Sequence, residues 1–297
     1  MVTPVRLMRR VDRPGPSGPE RGQYALQMAI RRHDVPWLAI GDQLQPGEIP
    51  WFWSWRDRPR AAAAAADRRP FICGPNILFG DSRRPCRLPD ERAICDAASC
   101  RLLITESEWY RRLIESHRGP RLGCPIVAIP YPLDDLPPLP PAAAEPDIPL
   151  LIYTKGGYDA SLVIALEAPN ASLVTYGRYG RAELLELAGR SAACLYLSDD
   201  DRGPLALAEI LAMGCPAVGL RRGAPWIEPG VNGFFLRRFD ARAIPAALNR
   251  CATLDRQAIA RQTRLRFDPR AIVAGLTAAL AVAAAAVQPP IDPADPA

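Results

Sequence analysis

Asp201 and Glu209 are two carboxylates, eight positions apart, that flank the start of a predicted helix. We predict that helix over 204–213, because Pro204 suits a first helical turn and Gly214 suits the left-handed residue that ends a helix. A helix N-terminus presents free N–H groups and a partial positive charge to a phosphate or a polarised hydroxyl. A glutamate in an apolar helix is costly to bury unless something hydrogen-bonds it. Ligand hydroxyls would supply such hydrogen bonds.

The residues around this helix predict the strands that position it. Short apolar runs at Ala193–Leu197 and Pro216–Leu220 are typical of buried strands, so strand, helix and strand form a βαβ unit. Such units place ligand loops at the carboxyl ends of their strands, and the loop here is Ser198–Gly203, with three aspartates and a glycine. The alternative is that 199–201 form a solvated loop and that Glu209 is an exposed helix residue, as acidic residues usually are.

The wider stretch resembles a known family. An acidic residue, seven residues and a glutamate, followed by Ala-Met-Gly-Cys-Pro-Ala-Val and Gly-Val-Asn-Gly-Phe, resemble the donor half of the retaining GT-B glycosyltransferases of family four. The resemblance implies that Glu209 holds the nucleotide ribose and that Asp201, in place of the usual longer glutamate, contacts the donor sugar. It also implies that the segment containing Ser198, Gly203 and Leu205 meets sugar and phosphate.

Lys155 is the only lysine of the chain and follows the predicted strand Leu150–Tyr153. In the resembled family the loop after this strand carries basic residues for the donor diphosphate. A compact ammonium beside glycines, which admit close backbone approach, suits a pyrophosphate. Lys155 and Asp201 are therefore the candidate catalytic residues. The alternative is an exposed lysine in a turn. Gly177 and Arg178, after the predicted strand Ser172–Tyr176, are further candidates for contacts with the base or phosphates.

A glycine-rich loop lies between the predicted strand Val5–Met8 and a predicted helix over 19–33. Ser17 and Glu20 have the spacing of a capping box. The loop resembles the family's amino-terminal loop that approaches the donor diphosphate, which makes Gly18 a donor-binding candidate. Neighbouring prolines lack N–H groups, so fewer amides can face a phosphate. A plain turn before a helix is the alternative interpretation.

Two residues of the first half are candidates for the acceptor side. Trp51, Trp53 and Trp55 alternate with other residues, which predicts three indoles on one face of a strand. We favour a buried core for them; the alternative, centred on Trp53, is an aromatic wall for an acceptor sugar. Asn76 lies in a segment where many family members carry a histidine. Neither histidine of the chain stands at a motif position, so a histidine general base is not expected.

Composition favours a soluble two-domain protein of 297 residues, with 48% hydrophobic and 23% charged residues. The net charge of +5 is spread over scattered arginines without a basic stripe, so nucleic-acid binding ranks low. The eight cysteines form no Cys-x2-Cys pair, which argues against zinc and fits a reducing cytoplasm. The apolar stretch Ala271–Val287 is slightly short of a membrane span.

The resemblance implies an α/β protein of the GT-B class, with two Rossmann-like domains facing each other across a cleft. We place the domains in the following ranges: an acceptor-side domain over 1–137, a proline-rich linker over 138–149, a nucleotide-sugar donor domain over 150–268, a helix over 269–287 that packs back towards the first domain, and a disordered tail over 288–297. Within the donor domain, Asn232-Gly233 predicts a hairpin turn, and Asp240 predicts the cap of a helix over about 241–251.

The implied activity is transfer of a hexose-like sugar from a nucleoside diphosphate sugar to an acceptor hydroxyl, with retention of configuration. In such enzymes the leaving phosphate is thought to take the acceptor proton, so we expect no protein nucleophile, no metal and no cofactor. The expected partners are the donor and an unidentified acceptor, with peripheral membrane contact open and oligomeric state undetermined. The alternative, from another class, is a catalytically impaired sugar-nucleotide-binding or scaffold protein of the same fold.

Overall fold

The computed structural model describes residues 2–15, 17–78, 85–139, 141, 145–156, 168 and 170–285. The chain divides into two compact units. The first takes in the described parts of Met1–Arg13, Leu26–Pro130 and Ile272–Ala297, and the second those of Pro14–Ala25 and Tyr131–Ala271. The sequence-based boundary at 137 lies inside the range of the second unit. Parts of the predicted linker, and the whole predicted tail, lie outside the described residues.

The first unit contains a parallel six-stranded sheet in the order β2-β1-β3-β4-β5-β6. Its strands are β1 Val5–Met8, β2 Leu38–Gly41, β3 Ile49–Ser54, β4 Phe71–Asn76, β5 Cys100–Thr105 and β6 Ile126–Ala128. The helices up to this point are α1 Gly18–His33, α2 Arg58–Ala66, α3 Pro89–Asp96 and α4 Glu108–Arg118. Buried aliphatic, aromatic and cysteine side chains form its core.

The second unit contains a parallel five-stranded sheet in the order β11-β10-β9-β7-β8. Its strands are β7 Leu151–Lys155, β8 Ser172–Thr175, β9 Cys194–Ser198, β10 Ala217–Leu220 and β11 Gly233–Leu236. The remaining helices are α5 Arg181–Arg190, α6 Leu205–Ala212, α7 Ile244–Cys251, α8 Arg256–Arg266 and α9 Pro269–Ala285. The predicted α/β class is confirmed.

Local signals placed several elements correctly. Ser17 and Glu20 form the predicted capping box, since Glu20 N–H donates to Ser17 Oγ and the Glu20 carboxylate accepts from Ser17 N–H, both at 3.3 Å. Gly214 has φ +80°, as expected of the residue that ends helix α6. Helix α7 starts at Ile244, later than predicted, because 241–243 form a turn in which Asp240 accepts from Arg242 N–H at 3.0 Å.

The predicted hairpin at Asn232-Gly233 is wrong, because β10 and β11 run parallel. Asn232 instead fastens the loop that joins them: its Oδ1 accepts from Glu228 N–H at 2.7 Å, and its Nδ2 donates to the Trp226 carbonyl at 3.1 Å. Gly233 is required by packing, since a Cβ there would lie 1.9 Å from the Ala217 carbonyl oxygen. Asn232 therefore fixes the loop, and Gly233 allows β11 to lie close to the backbone of β10.

The carboxy-terminal region adds one helix that the sequence did not predict, α8, beside the predicted α9. Among the described residues, the stretch Arg256–Ala285 is long and apolar enough to cross a membrane by length and composition, a test that core helices also pass. Ile272, Leu276 and Leu280 are buried along one side of α9.

Candidate functional site

The candidate site lies at the carboxyl ends of β7 and β9, which are neighbours in the second sheet. Lys155 ends β7 and is in register with Ser198, which ends β9. The loop after β9 leads through Asp201 to the start of α6. Because parallel strands end at the same sheet edge, the topology brings Lys155 and Asp201 together.

Lys155 and Asp201 form a partly buried ion pair. Lys155 Nζ donates to Asp201 Oδ2 at 2.6 Å, and their side chains are 30% and 11% exposed. Tyr196 Oη also lies 3.3 Å from the same oxygen. Burial disfavours the ammonium, but the charge and hydrogen bond of Asp201, together with smaller contributions of Tyr176 and Asp200, outweigh burial and raise the pKa of Lys155. Lys155 is therefore a cation at neutral pH, held by a carboxylate.

The backbone around Asp201 is held by its neighbours. Asp201 N–H donates to the Arg222 carbonyl at 3.0 Å, and Arg222 Nε donates to the Asp199 carbonyl at 2.9 Å. Gly223 comes so close to β9 that a Cβ there would lie 1.7 Å from the Ser198 carbonyl oxygen. These contacts hold the loop after β9 against the turn after β10.

Glu209 is a buried residue of helix α6, and its side chain is only 1% exposed. Arg181 Nε donates to its Oε1 at 2.6 Å, whereas Arg21 Nη2 lies 4.0 Å from its Oε2. Burial raises the pKa of Glu209, and the two arginines oppose that shift. The alternative of an exposed Glu209 is wrong, because α6 packs as a wholly buried helix; Asp200, in the loop, is exposed.

Tyrosine side chains connect the environment of Asp201 with that of Glu209. Tyr196, which contacts Asp201, stacks on Tyr153 with ring centroids 4.7 Å apart. The hydroxyls of Tyr153 and Tyr179 are 3.5 Å apart, and Arg21 Nη2 donates to Tyr179 Oη at 3.4 Å. A continuous set of contacts thus runs from the Lys155–Asp201 pair to the arginine beside Glu209.

Three of the donor-binding candidates lie between the end of β9 and the start of helix α6. Ser198 is buried, and its Oγ has no hydrogen-bond partner among the described residues. Gly203 is half-buried in the loop, and Leu205 is the first helical residue, 9% exposed. Pro204 is the N-cap, and its carbonyl accepts from Trp226 Nε1 at 2.9 Å as well as from the helix.

Gly18, Gly177 and Arg178 lie in the range of the second unit, Gly18 in a helix and the other two in a turn. Gly18 begins α1, and a Cβ there would meet nothing within 4 Å. Gly177 has φ +77°, in a turn closed by Arg178 N–H donating to the Thr175 carbonyl at 2.9 Å. Arg178 itself is exposed. Gly157, the second glycine after Lys155, lies outside the described residues.

The acceptor-side candidates, Trp53 and Asn76, belong to the first unit. Trp53 is 1% exposed and packs on Trp51 with centroids 5.6 Å apart, which is the core placement that the sequence favoured. A wall of three indoles is wrong, because Trp55 leaves the strand in a 3-10 turn and is 43% exposed. Asn76 ends β4 and is 8% exposed.

Arg21, Arg181, Tyr153 and Tyr196 were missed from the sequence, whereas Tyr179 lies in the predicted segment 177–180. Arg181 opens α5 directly after Gly180, and no motif marks it in a chain this rich in arginine. Arg21 lies in the first turns of α1, close to the glycine-rich loop that the sequence did single out. Across the described part of the chain, no three His, Cys, Asp or Glu residues come together in a way that would hold a metal ion.

The structure is similar to solved glycosyltransferases. Anabaena HepE in complex with UDP-glucose is 13% identical, with 94% of this chain and 99% of that chain covered and a TM-score of 0.64. The lipopolysaccharide outer core galactosyltransferase WaaB is 11% identical over 93% and 98%, with a TM-score of 0.60. AviGT4, a glycosyltransferase of avilamycin A biosynthesis, is 15% identical over 96% and 99%, with a TM-score of 0.57.

No protein-family model and no curated protein matches the chain. At such low identity, the likeness to solved structures establishes the fold alone. That fold is the α/β arrangement of the GT-B glycosyltransferases, with two Rossmann-like domains.

Proposed function

We propose that this protein is a glycosyltransferase that moves a sugar from a nucleoside diphosphate sugar to an acceptor hydroxyl. The observation that carries the proposal is a lysine ammonium at the end of β7 and a buried glutamate on α6, joined through Asp201 and the tyrosines within one unit. A cation and a helix N-terminus suit a diphosphate, and a buried carboxylate suits ribose hydroxyls. The likeness to HepE and WaaB supports the same assignment.

In this proposal Lys155 and the first amides of α6 stabilise the departing diphosphate, where charge develops in the transition state. Glu209 anchors the nucleotide ribose. Asp201 contacts the donor sugar and also holds Lys155, because its Oδ2 already accepts from the ammonium. The remaining lysine protons are available to phosphate oxygens.

The finer parts of the proposal follow the family resemblance. We assign retention of configuration, a hexosyl donor and independence from metal ions, since the positive charge at the diphosphate comes from Lys155 and backbone amides. HepE in complex with UDP-glucose supports a UDP-hexose donor, and the galactosyltransferase WaaB supports a hexosyl group. We also propose a cytoplasmic location, because all eight cysteines are free and buried, as in a reducing compartment.

Thermal unfolding with UDP, GDP and ADP tests donor binding, because a ligand that binds only the folded state raises the melting temperature. We expect one of the three to raise it and Glu209→Ala to remove that rise. Arg238→Ala is the matched control, since that guanidinium is 84% exposed and pairs with Asp240 outside the site. Failure of all three nucleotides to stabilise the native protein contradicts the proposal.

Turnover separates an enzyme from the second candidate, a sugar-nucleotide-binding protein without transfer activity. That candidate is favoured by one observation, namely that Asp201, already shorter than the family's glutamate, has an oxygen engaged by Lys155. A panel of nucleoside diphosphate sugars is incubated with the protein, and hydrolysis or transfer is measured. The anomeric configuration of the product, determined by NMR, tests retention. Binding without turnover of any donor would favour the second candidate.

A further inference from the structure

The two oxygens of the Glu209 carboxylate have different surroundings. Oε1 accepts a hydrogen bond from Arg181 Nε at 2.6 Å. Oε2 is buried and has no hydrogen-bond partner among the described residues, and Arg21 Nη2 stands 4.0 Å away, beyond hydrogen-bond distance. A buried acceptor without a donor is unfavourable, so Oε2 is ready to accept a hydrogen bond from a ligand.

Arg181 is fixed on its other side by backbone carbonyls. Its Nη2 donates to the Asp134 carbonyl at 2.6 Å, and its Nη1 lies 3.5 Å from the Asp135 carbonyl. Because a guanidinium is planar with donors in fixed directions, these bonds determine where Nε points. The Nε proton is therefore aimed at Oε1 of Glu209.

The contact differs from an ordinary structural ion pair. Arginine and a carboxylate commonly form two parallel hydrogen bonds that occupy both carboxylate oxygens. Here Arg181 gives only Nε to Glu209 and turns its other two nitrogens to the main chain. The arrangement stabilises the charge of Glu209 while leaving the buried Oε2 without a hydrogen bond among the described residues.

We propose, resting on the function proposed above, that Arg181 is a positioning residue for ribose recognition. It holds Oε1 of Glu209, so that Oε2 is the acceptor presented to a ribose hydroxyl of the nucleotide. Arg21 adds positive charge beside Oε2 without occupying it. Arg181 itself needs no contact with the donor in this arrangement.

Discrimination between UDP and its deoxy forms tests this role. Calorimetry compares UDP, 2′-deoxy-UDP and 3′-deoxy-UDP on the native protein, Arg181→Gln and Glu209→Gln. Loss of a hydrogen bond to a charged group weakens binding by about tenfold or more. We therefore expect the native protein to bind UDP about tenfold or more tighter than the weaker-binding of the two deoxy nucleotides. In Arg181→Gln, where Oε2 is no longer positioned, we expect that ratio to fall to within about twofold, as in Glu209→Gln.

The control is Arg190→Gln, which removes an ion-paired arginine from the same helix. Arg190 pairs with Asp147 and Glu186 and has no contact with Glu209, so the native ratio should be retained. If Arg181→Gln alone unfolds, Arg181→Lys takes its place. Lysine keeps a cation beside Glu209 but lacks the planar donors that tie Oε1 to the main chain, so its ratio should also fall.

The outcomes separate this inference from the proposed function. If Arg181→Gln keeps or strengthens the native discrimination while Glu209→Gln loses it, the role of Arg181 is overturned and the nucleotide site stands. Where Arg181→Gln unfolds, retained discrimination in Arg181→Lys likewise overturns it. If the native protein binds UDP and both deoxy forms with equal affinity, the ribose contact itself is wrong. If it does not bind UDP, UDP is not the nucleotide of the proposed function.

Discussion

Lys155 Nζ lies 2.6 Å from Asp201 Oδ2, so the single lysine of the chain is held by the first acidic residue of the motif around α6. The two residues come from the ends of adjacent parallel strands, and β7 and β9 are in register up to Lys155 and Ser198. An ammonium fixed by a carboxylate at a sheet edge is oriented before any anion arrives. Preorganised charge of this kind is what stabilises a leaving diphosphate.

Replacing Lys155 tests whether this ammonium acts on the leaving group. Lys155→Gln should lower kcat about a hundredfold or more, as loss of a single transition-state donor typically does. The melting temperature should fall only slightly, because Lys155 is 30% exposed and the glutamine amide can still donate to Asp201. Steady-state kinetics and thermal unfolding on the same sample check both. Normal turnover with a large drop in melting temperature would make the lysine structural.

Asp201→Asn removes the charge that holds Lys155 but keeps the shape of the side chain. In the native protein the Asp201 charge helps to hold the pKa of Lys155 above the ordinary 10.5. The ammonium therefore persists to at least pH 10.5, and its stabilising contribution is lost as pH rises through that raised pKa. In the variant burial lowers the pKa, and only the smaller contributions of Tyr176 and Asp200 oppose it. We therefore expect kcat of Asp201→Asn to fall with increasing pH already below pH 10.5. Over the same range kcat of the native protein should stay constant. Parallel profiles would contradict the role of Asp201.

The fold offers a stability test away from the site. Gly275 lies inside α9, is exposed, and a Cβ there would meet nothing within 4 Å. Gly275→Ala should raise the free energy of unfolding by about 0.5–1 kcal/mol, because alanine loses less backbone freedom on folding. Gly214→Ala is the matched counterpart: φ is +80° and a Cβ would lie 2.6 Å from the Arg256 carbonyl oxygen, so it should destabilise. Denaturant unfolding compares the two, and equal signs would contradict the packing of these helices.

Local patterns in the sequence predicted most of the elements but few of the contacts in the site. Apolar runs marked β7, β9 and β10, and Gly214 marked the end of α6, because those signals are carried by neighbouring residues. The Arg181–Glu209 bond joins residues 28 apart, and the Arg21–Tyr179 bond joins residues 158 apart. Neither spacing has a local pattern, since only the packing of α1, α5 and α6 creates it.

Asn232 shows the opposite error, in which a local signal was present and tertiary structure overrode it. Asn-Gly favours a hairpin turn when two antiparallel strands flank it. Here the loop 221–232 joins two parallel strands, and the Asn232 amide is used to fasten 226–232. The sequence pattern could not distinguish these uses, because both need a polar side chain beside a glycine.

Replacing Gly223 by alanine tests whether the turn after β10 determines the position of the loop after β9. A Cβ at Gly223 would lie 1.7 Å from the Ser198 carbonyl oxygen, so Gly223→Ala must displace backbone. We expect a loss of about 1–3 kcal/mol in the free energy of unfolding, typical of overpacking, together with lower turnover because Ser198 and Asp201 move. Gly275→Ala, with open space around it, serves as the control. Native stability and turnover in Gly223→Ala would contradict this close packing.

Nucleotide affinity should depend on the ionisation of Glu209. Burial raises the pKa of Glu209 above its ordinary 4.5, against the opposing charges of Arg21 and Arg181, with Asp134 adding to the rise. UDP affinity should therefore fall on acidification at a pH above 4.5, because a protonated carboxyl is a poorer acceptor for a ribose hydroxyl. The linked effect on stability has the opposite sign: with a raised folded pKa, this group stabilises the fold below 4.5 and that contribution is lost as pH rises through the folded pKa. Calorimetric titration of UDP across pH checks the first effect, and Glu209→Gln should bind weakly with no such dependence. An equal acid loss of affinity in Glu209→Gln would assign the titration to another group.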